Sequence, residues 1–343
     1  MMKEQEPFDL KAHLRHCGST AQLYDVRRTQ LTEGSSAGIR LIEVTTAAGL
    51  NAVFCENKAL DLYSLRYKGL NIGFLSKNGL INDRTRPQSG MFPSTWQGGM
   101  LATCGLRNAG PGCETESEVH PPHGLIGSIP AEQVALRTDW DKGVLEIMGQ
   151  VRESALFGHN LLLRRRILID LSGSAIKWQD TVQNQSAEPE PLFLLYHFNF
   201  GYPFLDKALQ LHFPPSQVIA RKEEAVKGLA SFDQISAPID GKPEEVFFHL
   251  PLQDQQENPG QQQVRLVRAD LRMAASLSWS RSELPWLIQW KSMKSGDYAL
   301  GIEPSTSSLL GRAEELKNGF SYLVPPFGER HYNLSLQLET LSD

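Results

Sequence analysis

The sequence predicts an all-β protein, a large antiparallel β-sandwich with a few short helices. Three observations lead there. Runs of β-branched, aromatic and aliphatic residues recur along the chain, punctuated by Gly, Pro, Asn and Asp clusters. Long helical periodicity is scarce; 8–16 and 311–318 read as short helices. Neither the βαβ rhythm of a parallel sheet nor an internal repeat is present, which argues against an α/β fold and against a propeller.

Examples of the strand-like runs, in order, are 40–46, 60–67, 144–151, 161–171, 175–183, 191–198, 262–267, 273–279, 286–290 and 332–338. Alternation is clearest in Ile176-Lys177-Trp178-Gln179-Asp180-Thr181-Val182, where apolar side chains fall on one face. Two regions break the rhythm. Residues 82–124 are rich in Gly, Pro, Arg and Thr, and a connection of that length predicts a functional role. Residues 251–262 read as an exposed polar turn. No linker divides the 343 residues, so one domain over 1–343 is expected.

Composition excludes several classes. Hydrophobic residues make up 41% and charged residues 21%, which is globular usage. With a net charge of −5 and no long basic run, nucleic acid is not an expected partner. The densest basic run, Arg164-Arg165-Arg166, reads as a solvated strand face. Four scattered cysteines imply no disulfide framework. Residues 1–10 are polar and acidic, so no secretory signal is expected, and no window approaches the ~18 apolar residues of a membrane span. A cytoplasmic protein is the expectation.

Three segments carry residues suited to chemistry. The first runs from Trp96-Gln97-Gly98-Gly99 to His120-Pro121-Pro122-His123-Gly124. Paired glycines admit a close ligand, and His123 sits in a stiff setting after two prolines; a locally bonded loop imidazole is the plain alternative. In Leu194-Leu195-Tyr196-His197-Phe198-Asn199-Phe200-Gly201-Tyr202-Pro203, His197 interrupts an apolar strand and is either a satisfied core residue or an inward functional one. In Tyr298-Ala299-Leu300-Gly301-Ile302-Glu303-Pro304, Glu303 ends an apolar strand, where desolvation raises a carboxyl's pKa toward that of a general base. The alternative is a carboxylate paired with an arginine. Cys104, Cys113, His120 and His123 are spaced C-x8-C-x6-H-x2-H, which lacks the close cysteine pair of structural zinc, so no metal is expected.

Together, Gly98-Gly99-x-Leu101-x-Thr103-Cys104-Gly105-Leu106, His123-Gly124 with Pro130-Ala131, His197-x-Asn199-x-Gly201-Tyr202-Pro203, Gln289-Trp290-Lys291 and Gly301-x-Glu303-Pro304 resemble the aldose 1-epimerase-like, or galactose mutarotase-like, proteins. The closest likeness is to their domain-of-unknown-function branch, and it spans about residues 38 to 338. The resemblance implies a β-supersandwich, a cleft on one sheet, a free sugar as the small-molecule partner, no cofactor, and an isomerase of carbohydrate metabolism. It implies His197 as the acid toward the ring oxygen, His123 as a second histidine and Glu303 as the base on the anomeric hydroxyl. Arg107, Asn199, Tyr202, Gln289, Trp290 and Lys291 are the candidate sugar-binding residues. Asp206 lies near the segment where mutarotases place a sugar-gripping aspartate, and Arg84 or Arg86 are further candidates for a basic residue at the cleft. On these roles His197 must be cationic, and a bell-shaped pH profile takes its basic limb from His197 and its acidic limb from Glu303. Two alternatives stand beside this reading. A sugar-phosphate epimerase on the same scaffold needs several Arg or Lys side chains converging at one cleft end. A non-catalytic carbohydrate-binding protein needs the aromatic wall but not His197 opposite Glu303.

Overall fold

The computed structural model describes residues 9–82, 92–115, 118–252, 260–320 and 322–342. Antiparallel sheet dominates them, as the strand patterning predicts. An eight-stranded sheet runs, in spatial order, Gln210–His212, Gln261–Arg268, Met273–Ser280, Glu329–Thr340, Ala175–Asn184, Asn160–Asp170, Val144–Ser154 and Glu132–Asp139. A six-stranded sheet runs Ser216–Ala220, Glu245–Pro251, Trp286–Lys294, Asp297–Ser305, Leu195–Gly201 and Leu101–Cys104. A five-stranded sheet is built from Tyr24–Gln30, Arg40–Thr46, Leu50–Cys55, Asp61–Tyr67 and Leu70–Asn71.

Alternation explains how these sheets meet. In Ala175–Asn184, Ile176, Trp178, Asp180 and Val182 are buried while Lys177 and Gln179 are exposed. The Trp178 ring meets Phe198 of the six-stranded sheet edge-on, with centroids 5.3 Å apart. Both are fully buried, and side chains of this kind each contribute roughly 1.5–3 kcal/mol. Ile42, Val44, Ala52 and Phe54 of the five-stranded sheet join the same core.

Arg165 corrects one expectation. Arg164 is exposed and Arg166 half-buried, but Arg165 faces inward and is buried between the sheets. Its guanidinium lies 2.6 Å from Asp61 and 2.8 Å from Asp180, and donates to Thr103 Oγ1 and the Ala59 carbonyl. Tyr196 also donates to Asp180, and Thr103 to Asp61. One buried cation thus ties all three sheets together, and its partners repay the desolvation cost. Side chains alternate along Asn160–Asp170, so Arg164 and Arg166 take the solvent side while Arg165 falls on the buried one.

The two expected helices appear as Leu10–Leu14, where Asp9 caps the Ala12 N–H, and Arg312–Lys317. Boundaries shift elsewhere. The run at 191–198 becomes Leu195–Gly201, and that at 286–290 extends to Lys294. Glu303 does not end its strand, which continues to Ser305. Tyr24–Gln30, Leu50–Cys55, Glu132–Asp139 and Glu245–Pro251 are strands that the reading of the sequence did not place. Of the polar turn at 251–262, residues 253–259 lie outside the described residues.

Candidate active site

The six-stranded sheet has two faces, and the register across its strands assigns each side chain to one. Tyr196, Phe198, Phe200, Leu300 and Ile302 belong to the main core. The intervening residues point the other way. Trp290 pairs with Gly301 and Gly301 with Asn199, forming one row; Ile288 pairs with Glu303, and His197 with Ala102. His197, Glu303 and Trp290 therefore share the outward face. Gly301 makes their meeting physically allowed. A Cβ there would stand 2.5 Å from Glu303 Oε1 and 3.1 Å from both His197 Cε1 and Trp290 Cβ.

The long connection supplies the remaining residues of the candidate site. His123 adopts φ 60°, a strained value for a residue with a side chain. Its backbone is clamped on both sides: its N–H donates to the Gly110 carbonyl and its carbonyl accepts from Gly105 N–H. Gly124 follows at φ 74°, where a Cβ would collide with the Gly105 carbonyl oxygen at 2.2 Å. The helix Phe92–Thr95 leads into Trp96, whose ring lies 5.5 Å from that of His197 and 5.7 Å from that of Trp290. Phe92 packs on Trp96 and on His123, and the His123 and His197 rings are 6.1 Å apart. Two tryptophans and a phenylalanine thus wall a site with two imidazoles and a carboxyl at its end.

Burial sets the charge in this site. His197 Nε2 lies 3.3 Å from Glu303 Oε1, and both side chains are buried. Desolvation, reinforced by the His123 imidazole, pushes His197 down to about 3, with Asn199 opposing the shift. Desolvation and the charge of Arg221 push His123 down to about 4. Glu303 is raised well above the usual carboxyl range by burial, which Arg221 opposes and Glu244 reinforces. Burial thus disfavours the charged form of all three groups, and between His197 and Glu303 it favours the proton on the carboxyl. This differs from the cationic His197 expected from its assigned role: removing water disfavours each charged form. Among the described residues, Trp96 Nε1, His123 Nδ1, His197 Nδ1 and Glu303 Oε1 are buried without a hydrogen-bond partner.

The candidate sugar-binding residues divide. Trp290 joins the site, its Nε1 donating to Glu244 at 2.8 Å. Asn199 lies beneath it, where its amide donates to the Gly99 and His197 carbonyls and so braces the strand. Gln289 and Lys291 flank Trp290 in sequence and point to the opposite face. Gln289 bonds His249 and the Phe232 carbonyl, and Lys291 bonds the Ser231 and Gln234 carbonyls. Tyr202 lies just beyond the end of Leu195–Gly201 and is 69% exposed. Arg107 is held by Glu118 and Glu190 in a separate hollow with His120, Glu153 and His159, so its charge is already matched. Asp206 accepts from the Ala208 N–H in a turn. Arg84 and Arg86 lie outside the described residues.

Trp96, Phe92, Arg221 and Glu244 belong to the site and were not among the candidates. Trp96 heads the glycine-rich run, and an aromatic beside paired glycines was the available signal. Nothing in the local sequence marks Arg221 or Glu244.

The fold defines the class: a galactose mutarotase-like β-sandwich. The chain belongs to the DUF4432 family, a domain of unknown function, which matches residues 36–338. Among solved structures, a provisionally assigned aldose 1-epimerase of Klebsiella pneumoniae superposes with a TM-score of 0.86 at 22% identity, covering 93% of this chain and 86% of that one. A galactose mutarotase-like protein of Clostridium acetobutylicum matches with a TM-score of 0.63 at 16% identity, covering 93% and 100%. A galactose 1-epimerase of Lactobacillus acidophilus matches with a TM-score of 0.60 at 13% identity, covering 93% and 99%. At these identities the likeness shows the fold. No curated protein matches the chain. No helix among the described residues is long and apolar enough to cross a membrane.

Proposed function

We propose that the protein is an aldose 1-epimerase-type isomerase that interconverts the anomers of a sugar. The observation that carries this reading is the convergence of unpartnered buried polar atoms from Trp96, His123, His197 and Glu303 inside an aromatic wall. Such atoms cost stability unless a ligand satisfies them. An uncharged sugar ring offers hydroxyls to them and an apolar face to Trp96 and Trp290.

Anomer exchange takes a proton from the O1 hydroxyl and gives one to the ring oxygen. The single proton shared by Glu303 and His197 is enough. When sugar hydroxyls donate to the Glu303 carboxyl, its proton passes to His197 Nε2, 3.3 Å away. The resulting carboxylate accepts the O1 proton, the imidazolium protonates the ring oxygen, and the C1–ring oxygen bond breaks to leave the open aldehyde. Both side chains are then neutral again, the state that burial favours. After rotation about C1–C2, the ring hydroxyl attacks the other carbonyl face. It returns its proton to His197, and Glu303 protonates O1. His123 bonds the sugar beside His197.

The test is NMR exchange between purified anomers over a panel of free and derivatised aldoses. Exchange above the spontaneous rate that is lost in Glu303→Gln is expected. Binding with no accelerated exchange for any sugar overturns the isomerase and leaves a carbohydrate-binding protein.

A further inference from the structure

A hollow of about 210 Å3 opens beside Trp290, lined by Arg221, Lys222, Ala225, Pro243, Glu244 and Val246. The register ties it to the reacting groups. Arg221 N–H donates to the Val246 carbonyl, Val246 pairs with Trp290, and Trp290 pairs with Gly301. Arg221 thus stands on the same sheet face as Glu303, at the far end of the row that passes through Gly301. Its charge acts on both His123 and Glu303. Glu244, on the hollow's wall, is the carboxylate that fixes Trp290.

The hollow's charges do not cancel. Arg221 donates from Nη2 to the Leu309 carbonyl at 3.0 Å, and no carboxylate among the described residues pairs with it. Lys222 is exposed and likewise forms no ion pair among them. Neighbouring cations are matched: Lys242 by Glu245, and Arg107 by Glu118 and Glu190. Two cations against the single carboxylate of Glu244 leave an excess positive charge in the hollow. An uncharged sugar has no use for it, whereas a carboxylate or phosphate would gain charge-assisted hydrogen bonds.

We propose that the substrate is an anionic sugar, whose carboxylate or phosphate lies against Arg221 and Lys222 while its anomeric carbon lies at His197 and Glu303. This rests on the isomerase reading only in placing the sugar ring in the same cleft.

The test is calorimetric binding, run beside NMR anomer exchange, with matched sets: glucose, glucuronate and glucose 6-phosphate, and the same three derivatives of galactose. At least one anion is expected to bind about tenfold or more tightly than its neutral parent, with the advantage falling as salt is raised. Whether the uronate or the phosphate gains more distinguishes the two anions. Because Arg221 also bonds the Leu309 carbonyl, Lys222→Glu is the substitution that spares the fold, with Arg221→Gln as the second. Each should cut the anion-to-neutral affinity ratio about tenfold. Neutral sugars binding as tightly as both anions, no anion binding at all, or a ratio unchanged in both variants overturns the proposal. Preferential anion binding without exchange leaves the proposal standing and defeats the isomerase. Fastest exchange of neutral sugars, with no affinity advantage for the anions, does the reverse.

Discussion

Glu303 Oε1 lies 3.3 Å from His197 Nε2, and burial disfavours the charged form of both groups, so a single proton serves the pair. Removing the carboxyl while keeping its shape isolates that proton. Glu303→Gln should lower kcat by about 10²- to 10⁴-fold with sugar affinity largely kept. His197→Asn should behave similarly, and His123→Asn should weaken affinity as well as rate. Anomer exchange by NMR with calorimetric binding reads both. Wild-type rates in Glu303→Gln would show that the base lies elsewhere.

The pH profile of kcat/KM follows from the same pair. The active form carries one proton between the two groups. Acid removes activity by adding a second proton to an imidazole, and His123 and His197 are held down to about 4 and about 3. Base removes activity by taking the remaining proton, which Glu303 holds well above the usual carboxyl range. The acidic limb thus belongs to the histidines and the basic limb to Glu303, the reverse of what their roles alone suggest. The limbs are properties of the pair. A basic limb that persists unchanged in the residual activity of Glu303→Gln would contradict its assignment to Glu303.

The stability contributed by the buried histidines should fall on acidification from about pH 6.5, the ordinary histidine value. His123, His197 and His249 are each depressed in the folded protein, to about 4, 3 and 4. Between those values and 6.5 these three imidazoles bind more protons in the unfolded chain, so their share of stability rises with pH across that window and is lost as pH falls through it, against the opposite contribution of the buried carboxyls Glu303 and Glu153, both raised by burial. Urea midpoints from pH 7 to 5 measure the effect. His249→Gln should flatten the slope by one proton's share without touching the site.

Arg165→Met should destabilise the fold by roughly 3–5 kcal/mol, because Asp61 and Asp180 are left buried without their cation. Asp61 is already raised by burial despite Arg165. Denaturant unfolding measures the loss, and a change below about 1 kcal/mol would mean that the carboxyls simply take protons at no cost.

Lys291→Met should leave KM for any turned-over sugar within about twofold, since Lys291 holds the Ser231 and Gln234 carbonyls on the opposite sheet face. Trp290→Ala should raise KM by about tenfold or more through loss of the aromatic wall. Steady-state exchange kinetics separate these two neighbours.

The sequence by itself determined the sheet-rich architecture, because alternation such as that in Ile176–Val182 exists only when one strand face is buried. It also singled out His123, His197 and Glu303, since a polar residue set into an apolar strand or a stiff glycine turn stands out without coordinates. Which side chains share a face was left to the tertiary structure. Leu195–Gly201 is buried along its whole length, so its periodicity carries no phase, and Gln289, Trp290 and Lys291 look alike until one sheet face is packed on the core. Arg221 entered the site through its backbone bond to Val246, which pairs with Trp290, and Glu244 by accepting from Trp290 Nε1, contacts far apart in the chain that leave no local pattern. The charge of the His197–Glu303 pair was decided last and chiefly by burial, because the cost of removing water depends on what the whole fold stacks around two atoms 3.3 Å apart.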